Sequence, residues 1–339
     1  MDSRFFHPLI RAWFTETYGQ ATAVQAEAWP LIAGGAHVLA LAPTGSGKTL
    51  TAFLSAISRF ADGTYPADAL SVLYVSPLKA LNEDIRRNLL DPVAAIQGRF
   101  AARGLPFPEI RLAVRSGDTP QTERRRFLIR PPSILALTPE SLAIILLNPR
   151  GRLVLSKVKY LILDEIHSVL GTKRGAFLSC QVDRLALLAG EFQRVSLSAT
   201  VCPPEAAADF VGGLVERDGA YEKRPVRIVA PHQDKEISLS IEYPPEETEG
   251  LPGTGAGREA EGPRNSRYRI LTDIILRRIA AGGGRGAVLV FTDSRRRAER
   301  ISFLLNQRGG PGTAFTHHGS LSKEVRRGVE ERLAQGRLP

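Results

Sequence analysis

Residues 41–50 read LAPTGSGKTL. They close an apolar, β-branched run, HVLALAPTG at 37–45, and lead into a helical pattern. A Gly-rich turn between strand and helix leaves backbone N–H groups free to point at phosphate oxygens, and the helix N-terminus adds partial positive charge. The spacing fits G-x-x-x-x-G-K-[ST] except that Ala42 stands where the pattern has its first Gly. On this reading Thr44, Gly45, Ser46 and Gly47 form a phosphate cradle, Lys48 reaches the β/γ-phosphates of a nucleotide, and the Thr49 hydroxyl binds Mg²⁺.

Working outward, five more runs of the same kind follow: SVLYVSPLK (71–79), IRLAVRSGD (110–118), SILALTPES (133–141), KYLILDEIH (159–167) and RVSLSATVC (194–202). Runs apolar on both faces, alternating with helix-length segments, predict an α/β fold with a parallel sheet covered by helices on both sides. Each run ends in a polar cluster at the strand's carboxyl end, where such sheets bind ligands. The composition then breaks: PPEETEGLPGTGAGREAEGPRNSR at 244–267 is rich in Gly, Pro and Glu and reads as a linker or insertion. Before it, ISLSIEY (237–243) alternates with period two, as a half-exposed strand does. After it the α/β pattern resumes with a helix at 270–280, a strand AVLVFTDS (287–294), a helix through 295–307 and TAFTHHGS (313–320). The expected organisation is a first domain over 1–230, a connecting strand and flexible linker over 231–267, and over 268–339 a second domain that repeats the first.

The 339 residues carry a formal net charge of +10, with 43% hydrophobic and 24% charged residues. An acidic polymer such as nucleic acid suits that charge, as does ordinary solubility. Cys180 and Cys202 lack metal-ligand spacing, which argues against a disulfide scaffold or zinc site and fits a reducing cytoplasm. The apolar run LAIILL (142–147) is too short to span a membrane, and MDSRFFHPLI lacks a basic start followed by an apolar core, so no membrane partner is expected.

DEIH at 164–167 is the second chemical motif. Asp164 closes a buried strand, where an acid holds Mg²⁺ through water, and Glu165 is placed to orient or deprotonate an attacking water. An Asp after a strand also serves as a helix N-cap; the phosphate loop upstream favours the catalytic reading. SAT at 198–200 would by itself be a turn, and its weight comes from its order, third after the loop and DEIH.

The order APTGSGKT, SPLKALN, TPES, DEIH, SAT resembles a superfamily 2 helicase. In detail SPLKALNEDIRRNL (76–89), SGDTPQTERRR (116–126), TPESLAIILL (138–147), LDEIHSVLGTKRG (163–175) and HHGSLSKEVRRGVEE (317–331) resemble the large helicase-related (Lhr) family. That resemblance implies two RecA-like domains of the P-loop NTPase class, ATP and Mg²⁺ as cofactors, and ATP-driven movement on single-stranded DNA. DNA rather than RNA rests on the resemblance alone. It implies that Gln25 reads the adenine edge, although a surface helix glutamine is the plain alternative. It implies strand contacts at Pro77, Lys79, Asp118, Thr119, Thr138, Pro139 and Glu140 in the first domain, and at Ser294, Arg295, His318, Gly319 and Ser320 in the second. Strand-end loops of this kind bind phosphates without reading bases. The arginines of ERRRF (123–127) read equally as a phosphate-facing or a solvated face. His167 would couple hydrolysis to motion through Ser198 and Thr200.

The final 72 residues (339 − 268 + 1) make about half an ordinary domain. The expectation is therefore a chain truncated within its second RecA-like domain, missing its trans arginines and weak in turnover unless a further portion or a complementing chain supplies them. The rival class is a non-catalytic, nucleotide-responsive nucleic-acid-binding module. A P-loop kinase is disfavoured because SPLK and TPES have no role there.

Overall fold

A computed structural model describes residues 5–43, 45–77, 85, 89–117, 119–199, 201–231, 239–241, 263–281 and 287–338. The chain divides into two compact units, Met1–Asp234 and Lys235–Pro339.

In the first unit the strands are β1 His37–Leu41, β2 Val72–Val75, β3 Leu112–Arg115, β4 Ile134–Leu137, β5 Tyr160–Asp164, β6 Gln193–Ser198 and β9 Val226–Val229. They form one sheet in the order β3-β4-β2-β5-β6-β1-β9, parallel throughout. Alternation along each strand feeds two cores. Val38, Ala40, Tyr160 and Ile162 enter one, while Leu39, Leu41, Leu161 and Leu163 enter the other. That is why the runs read as continuously apolar. Helices α1 Pro8–Tyr18, α2 Ala23–Ala33, α3 Lys48–Ala61 and α4 Asp91–Ala101 cover the first face. Helices α5 Gln121–Ile129, α6 Pro139–Leu147, α7 Pro149–Leu155, α8 Lys173–Ala189 and α9 Pro204–Gly212 cover the second. The carboxyl ends of β1, β5 and β6 lie side by side, which brings the phosphate loop, DEIH and SAT to one edge.

An antiparallel hairpin, β7 Leu214–Arg217 and β8 Ala220–Lys223, was not among the expected elements. Its turn is Asp218-Gly219, both left-handed at φ 52 and 79. Asp-Gly is the usual two-residue hairpin signal, and it was legible in the sequence.

The amino ends of the strands are held by buried arginines. Arg194 is fully buried, donates to the Gly212 carbonyl and sits 5.1 Å from the Phe192 ring centre. Arg224 grips Glu191 with bonds of 2.9 and 2.6 Å and donates to Gly212 O at 3.1 Å. His37 Nδ1 accepts from Arg194 N at 3.1 Å. Burial, then the Arg194 charge, push the His37 pKa down to about 4, with Glu191 opposing. A base whose pKa falls on folding gives stability that is present above its unfolded value near 6.5 and is lost as pH drops toward 4. Allowing for its solvent-facing part, that loss is about 1–2 kcal/mol. Thermal melts of parent and His37→Gln between pH 7 and pH 4 should therefore converge toward acid. Parallel curves would remove His37 from the acid response.

In the second unit the helices are α10 Pro263–Ala281, α11 Arg295–Gly309 and α12 Lys323–Ala334. Ile275, Ile301 and Leu305 form its small core. Three sequence expectations change here. Helix α10 begins at Pro263, inside the stretch read as linker; Pro suits a first helical turn, where its missing N–H is not needed. Residues 287–294 and 313–320 are not strands, because a strand exists only through its ladder and none runs beside either segment among the described residues. Leu289 and Phe291 are accordingly 63% and 90% exposed. Of the strand expected at 237–243, only 239–241 are described, and these are exposed and irregular. Residues 242–262 of the expected linker lie outside the described residues.

Candidate nucleotide and nucleic-acid site

The phosphate loop leaves β1 and enters α3 through two left-handed glycines, Gly45 at φ 81 and Gly47 at φ 80. A side chain at Gly47 would also collide, since a Cβ there would lie 2.6 Å from Gln25 Nε2. Gln25 is not a surface glutamine. It is buried in α2, accepts from Thr22 N at 3.0 Å and donates to Gly47 O at 3.3 Å. Thr22 Oγ1 donates to Ser46 O at 2.9 Å, and Ser46 Oγ donates to Pro43 O at 2.7 Å. The start of α2 thus braces the loop, and Gln25 keeps one N–H and one lone pair for a base edge.

Lys48 does not project into open solvent. It is 6% exposed, and Nζ donates to Ala42 O and, at 2.8 Å, to Pro43 O. The loop's own carbonyls hold the ammonium where phosphate oxygens would otherwise take it. Burial lowers its pKa, opposed by the charges of Glu165 and Asp164. Those opposing charges mark the two motifs as one electrostatic site.

Asp164 ends β5, nearly buried. Its carboxylate accepts from the Tyr74 hydroxyl and, at 2.8 Å, from Glu165 N. Tyr74 stacks on Phe53 of α3, 5.2 Å between ring centres, so the acid is held by a ring packed beneath the loop helix. Burial, then the neighbouring Glu165 charge, push the Asp164 pKa up to about 6. Glu165 has left-handed backbone, φ 53 and ψ 38, which starts the 3₁₀ turn Ile166–Ser168. Its Oε2 lies 3.2 Å from His167 Nδ1. The same Nδ1 is 3.3 Å from Ser198 Oγ and 3.4 Å from Ala199 N. His167 therefore stands between the two motifs.

The strand-end loops of β2, β3 and β4 carry the other candidates. Thr138 caps α6, accepting from Ser141 N at 3.4 Å, and Pro139 occupies its first turn. Thr119 Oγ1 accepts from Ser116 N at 2.9 Å and closes a turn after β3. Two arginines, Arg174 and, from the ERRRF run, Arg124, organise these loops. Arg174 grips Glu140 with bonds of 2.6 and 3.1 Å and donates to Pro77 O at 2.7 Å, tying the β2 loop to the β4 loop. That pairing lowers the Glu140 pKa and occupies both its oxygens. Arg124 donates to Thr119 O at 2.7 Å and to Gly117 O at 2.6 Å. Only the long match LDEIHSVLGTKRG and the basic run in α5 hinted at them. Thr44, Lys79, Asp118 and Thr200 lie outside the described residues.

In the second unit, Ser294 caps α11 through Arg297 N at 3.3 Å, and Arg295 donates to Ser320 Oγ. His318 Nε2 pairs with Glu299 at 3.0 Å, and exposed Gly319 lies between it and Ser320. These four candidates and Gly319 are thus one cluster at the start of α11.

With this geometry in hand, the comparisons are direct. The sequence profile of the DEAD/DEAH box helicase family matches residues 22–208. The Lhr helicase/probable uracil glycosylase of Mycolicibacterium smegmatis is 39% identical over 98% of this chain and 23% of its own length. The ATP-dependent helicase Lhr-Core of Methanothermobacter thermautotrophicus is 40% identical over 98% of this chain and 37% of its own. The structure of Mycobacterium smegmatis helicase Lhr bound to ssDNA and AMP-PNP superposes with a TM-score of 0.77 at 41% identity, covering 98% of this chain and 40% of that one. The chain thus spans between about a quarter and two fifths of the length of these relatives. Motif order, the seven-stranded parallel sheet and these matches agree: the chain belongs to the DEAD/DEAH box helicase family, and its similarity runs to the helicases named Lhr.

Proposed function

We infer that this chain is the ATP- and nucleic-acid-binding part of an ATP-driven translocase that moves along single-stranded DNA, weak in turnover on its own. One observation carries the reading. Asp164, Glu165, His167 and Ser198 form a continuous polar path, within reach of the Lys48 charge, along the sheet edge that also bears the Pro77, Thr119 and Thr138 loops. The relative bound to ssDNA and AMP-PNP supports the choice of ligands.

Magnesium fits the donor set. Asp164 offers carboxylate oxygens whose charge is buried and costly, and Thr49 adds a hydroxyl at the first turn of α3; both are hard oxygen donors. When bound, the ion would offset the negative charge of the phosphates. The protein's own part is clearer still. Lys48 would exchange the Ala42 and Pro43 carbonyls for phosphate oxygens, and Glu165 would take the proton of the attacking water. His167 Nδ1 carries either a proton or a lone pair. It serves Glu165 as a donor or the Ala199 N–H as an acceptor, never both at once. A change at Glu165 thereby alters how the Ser198 segment is held, and that is the proposed coupling.

A nucleotide-responsive binding module without turnover is the second reading. It is favoured by segments 287–292 and 313–318, which pair with no strand among the described residues. Phosphate release with and without single-stranded DNA separates the two: complete absence of release in both conditions supports the module.

The coupling itself predicts that AMP-PNP with Mg²⁺ changes the affinity for a labelled oligonucleotide by about 5- to 150-fold. His167→Ala should abolish that response while AMP-PNP still raises the melting temperature. A His167→Ala chain that couples like the parent would overturn the assignment.

A further inference from the structure

Where β3 ends, a cavity of about 430 Å³ opens between α5 and α6. That size lies within the roughly 300–1,000 Å³ of ordinary ligand sites. Its polar lining among the described residues consists of Arg115, Thr119, Gln121, Arg124, Arg125 and Asn148, none of them acidic.

The three arginines have different duties. Arg124 is committed to the Thr119 and Gly117 carbonyls and shapes the turn. Arg125 is exposed on the cavity's lip. Arg115 is 8% exposed, on the last position of β3, with its guanidinium 5.2 Å from the Phe127 ring centre. Among the described residues no carboxylate or carbonyl accepts a hydrogen bond from it. Burial and the like charge of Arg124 both lower its pKa, so no described acid offsets it. A buried cation without an anion is costly, and a guanidinium with five N–H donors lining a basic cavity is an invitation to one. The Asn148 carbonyl oxygen is engaged by Gly151 N at 3.0 Å, which leaves its amide N–H groups as further donors.

We propose that this cavity is a phosphate subsite that holds one phosphodiester of the bound single strand, next to the Thr119 turn. The inference rests on the nucleic-acid reading above and extends it to Arg115, Arg125, Gln121 and Asn148. Leu128, Ile144 and Ile145, the apolar part of the lining, supply a wall against which a sugar packs. The phosphate shared by a polynucleotide and a free anion is the recognised group; the strand is the source because Thr119 joins the cavity to the strand-end loops.

Titration of a labelled oligonucleotide at several chloride concentrations tests it. For single strands each phosphate contact contributes about 0.7 to the slope of log K against log salt. Arg125→Gln should lower the parent's slope by about that amount, as should Arg115→Met, whose apolar side chain still packs on Phe127. Arg126→Gln is the control, because Arg126 is exposed on the same helix but does not line the cavity; its slope should equal the parent's. Arg115→Met is read only if its melt matches the parent's; otherwise Arg125→Gln alone decides. A flat salt response of the parent would sink the nucleic-acid reading and this inference together. A steep parent response with equal slopes for parent, Arg125→Gln and Arg126→Gln would overturn only the subsite. Inorganic phosphate at matched ionic strength should displace the oligonucleotide better than chloride does, and that excess should vanish in Arg125→Gln. Phosphate that raises the melting temperature of the parent, but not of Arg125→Gln, without such excess displacement would assign the cavity to a free anion and overturn the strand proposal.

Discussion

Lys48→Ala leaves the chain folded and removes its response to Mg·ATP. A ligand present at a hundred times its dissociation constant stabilises the folded state by about 2.7 kcal/mol. For a domain of this size that is about 5–10 °C in melting temperature. The parent should show that shift and Lys48→Ala should show none. The substitution is not silent for the fold, because Lys48 donates to the Ala42 and Pro43 carbonyls and is almost wholly buried. Losing those bonds costs about 1–2 kcal/mol, so the variant melts somewhat below the parent before any nucleotide is added. Asp164 and Glu165 also lose the cation that offsets them. If Lys48→Ala is stabilised by Mg·ATP as strongly as the parent, the phosphate-loop assignment is wrong. A variant that cannot fold would show instead that the amine is chiefly a strut of the loop.

What the sequence disclosed follows from the range of the interactions involved. The first unit was legible because its signals are local. Each strand is apolar on both faces, and each strand end carries its own polar motif within a few residues. The phosphate loop needs only consecutive residues, and Gly45 and Gly47 take the left-handed conformations such a turn demands. Arg174 and Arg124 were not legible as loop braces, since their partners lie 34 residues away at Glu140 and on the carbonyls of a neighbouring turn. Carbonyls leave no trace in side-chain identity. The helices expected at 270–280 and 295–307 are present in the second unit, and its two strands were misread for a related reason. AVLVFTDS has the composition of a strand, but composition is a preference for a pleated, half-buried surface, and the ladder that would use it comes from elsewhere in space. Gln25 shows the reverse case: the resemblance implied a base contact, with a solvated surface glutamine as the alternative, and the packing of α2 against the loop buries it and removes that alternative.

Glu165→Gln should retain Mg·ATP binding and lose turnover by about 10²–10⁴-fold relative to the parent's own rate, the usual contribution of a positioned base. Glutamine matches glutamate in shape but cannot accept the proton of an attacking water. Both meet the same demand at this position, where the backbone is left-handed at φ 53. For a residue with a Cβ that conformation costs roughly 1–2 kcal/mol, and a glycine would carry it more cheaply. The fold holds the strain from both sides: Glu165 N donates to Asp164 at 2.8 Å, and Glu165 O accepts from Ser168 N at 3.1 Å and Ser168 Oγ at 2.8 Å. The turn tips the carboxylate away from the strand axis and beside His167 Nδ1, at 3.2 Å. Strain of this kind at a cleft residue points to a functional demand on its side chain. Single-turnover phosphate release, paired with the Mg·ATP melting shift, measures both halves of the prediction. Glu165→Gln that hydrolyses within a few-fold of the parent would move the base elsewhere, and loss of the melting shift would make Glu165 part of the binding site instead. Glu165→Gly completes the test: it should melt higher than the parent while being as inactive as Glu165→Gln, because it relieves the backbone and removes the base in one step.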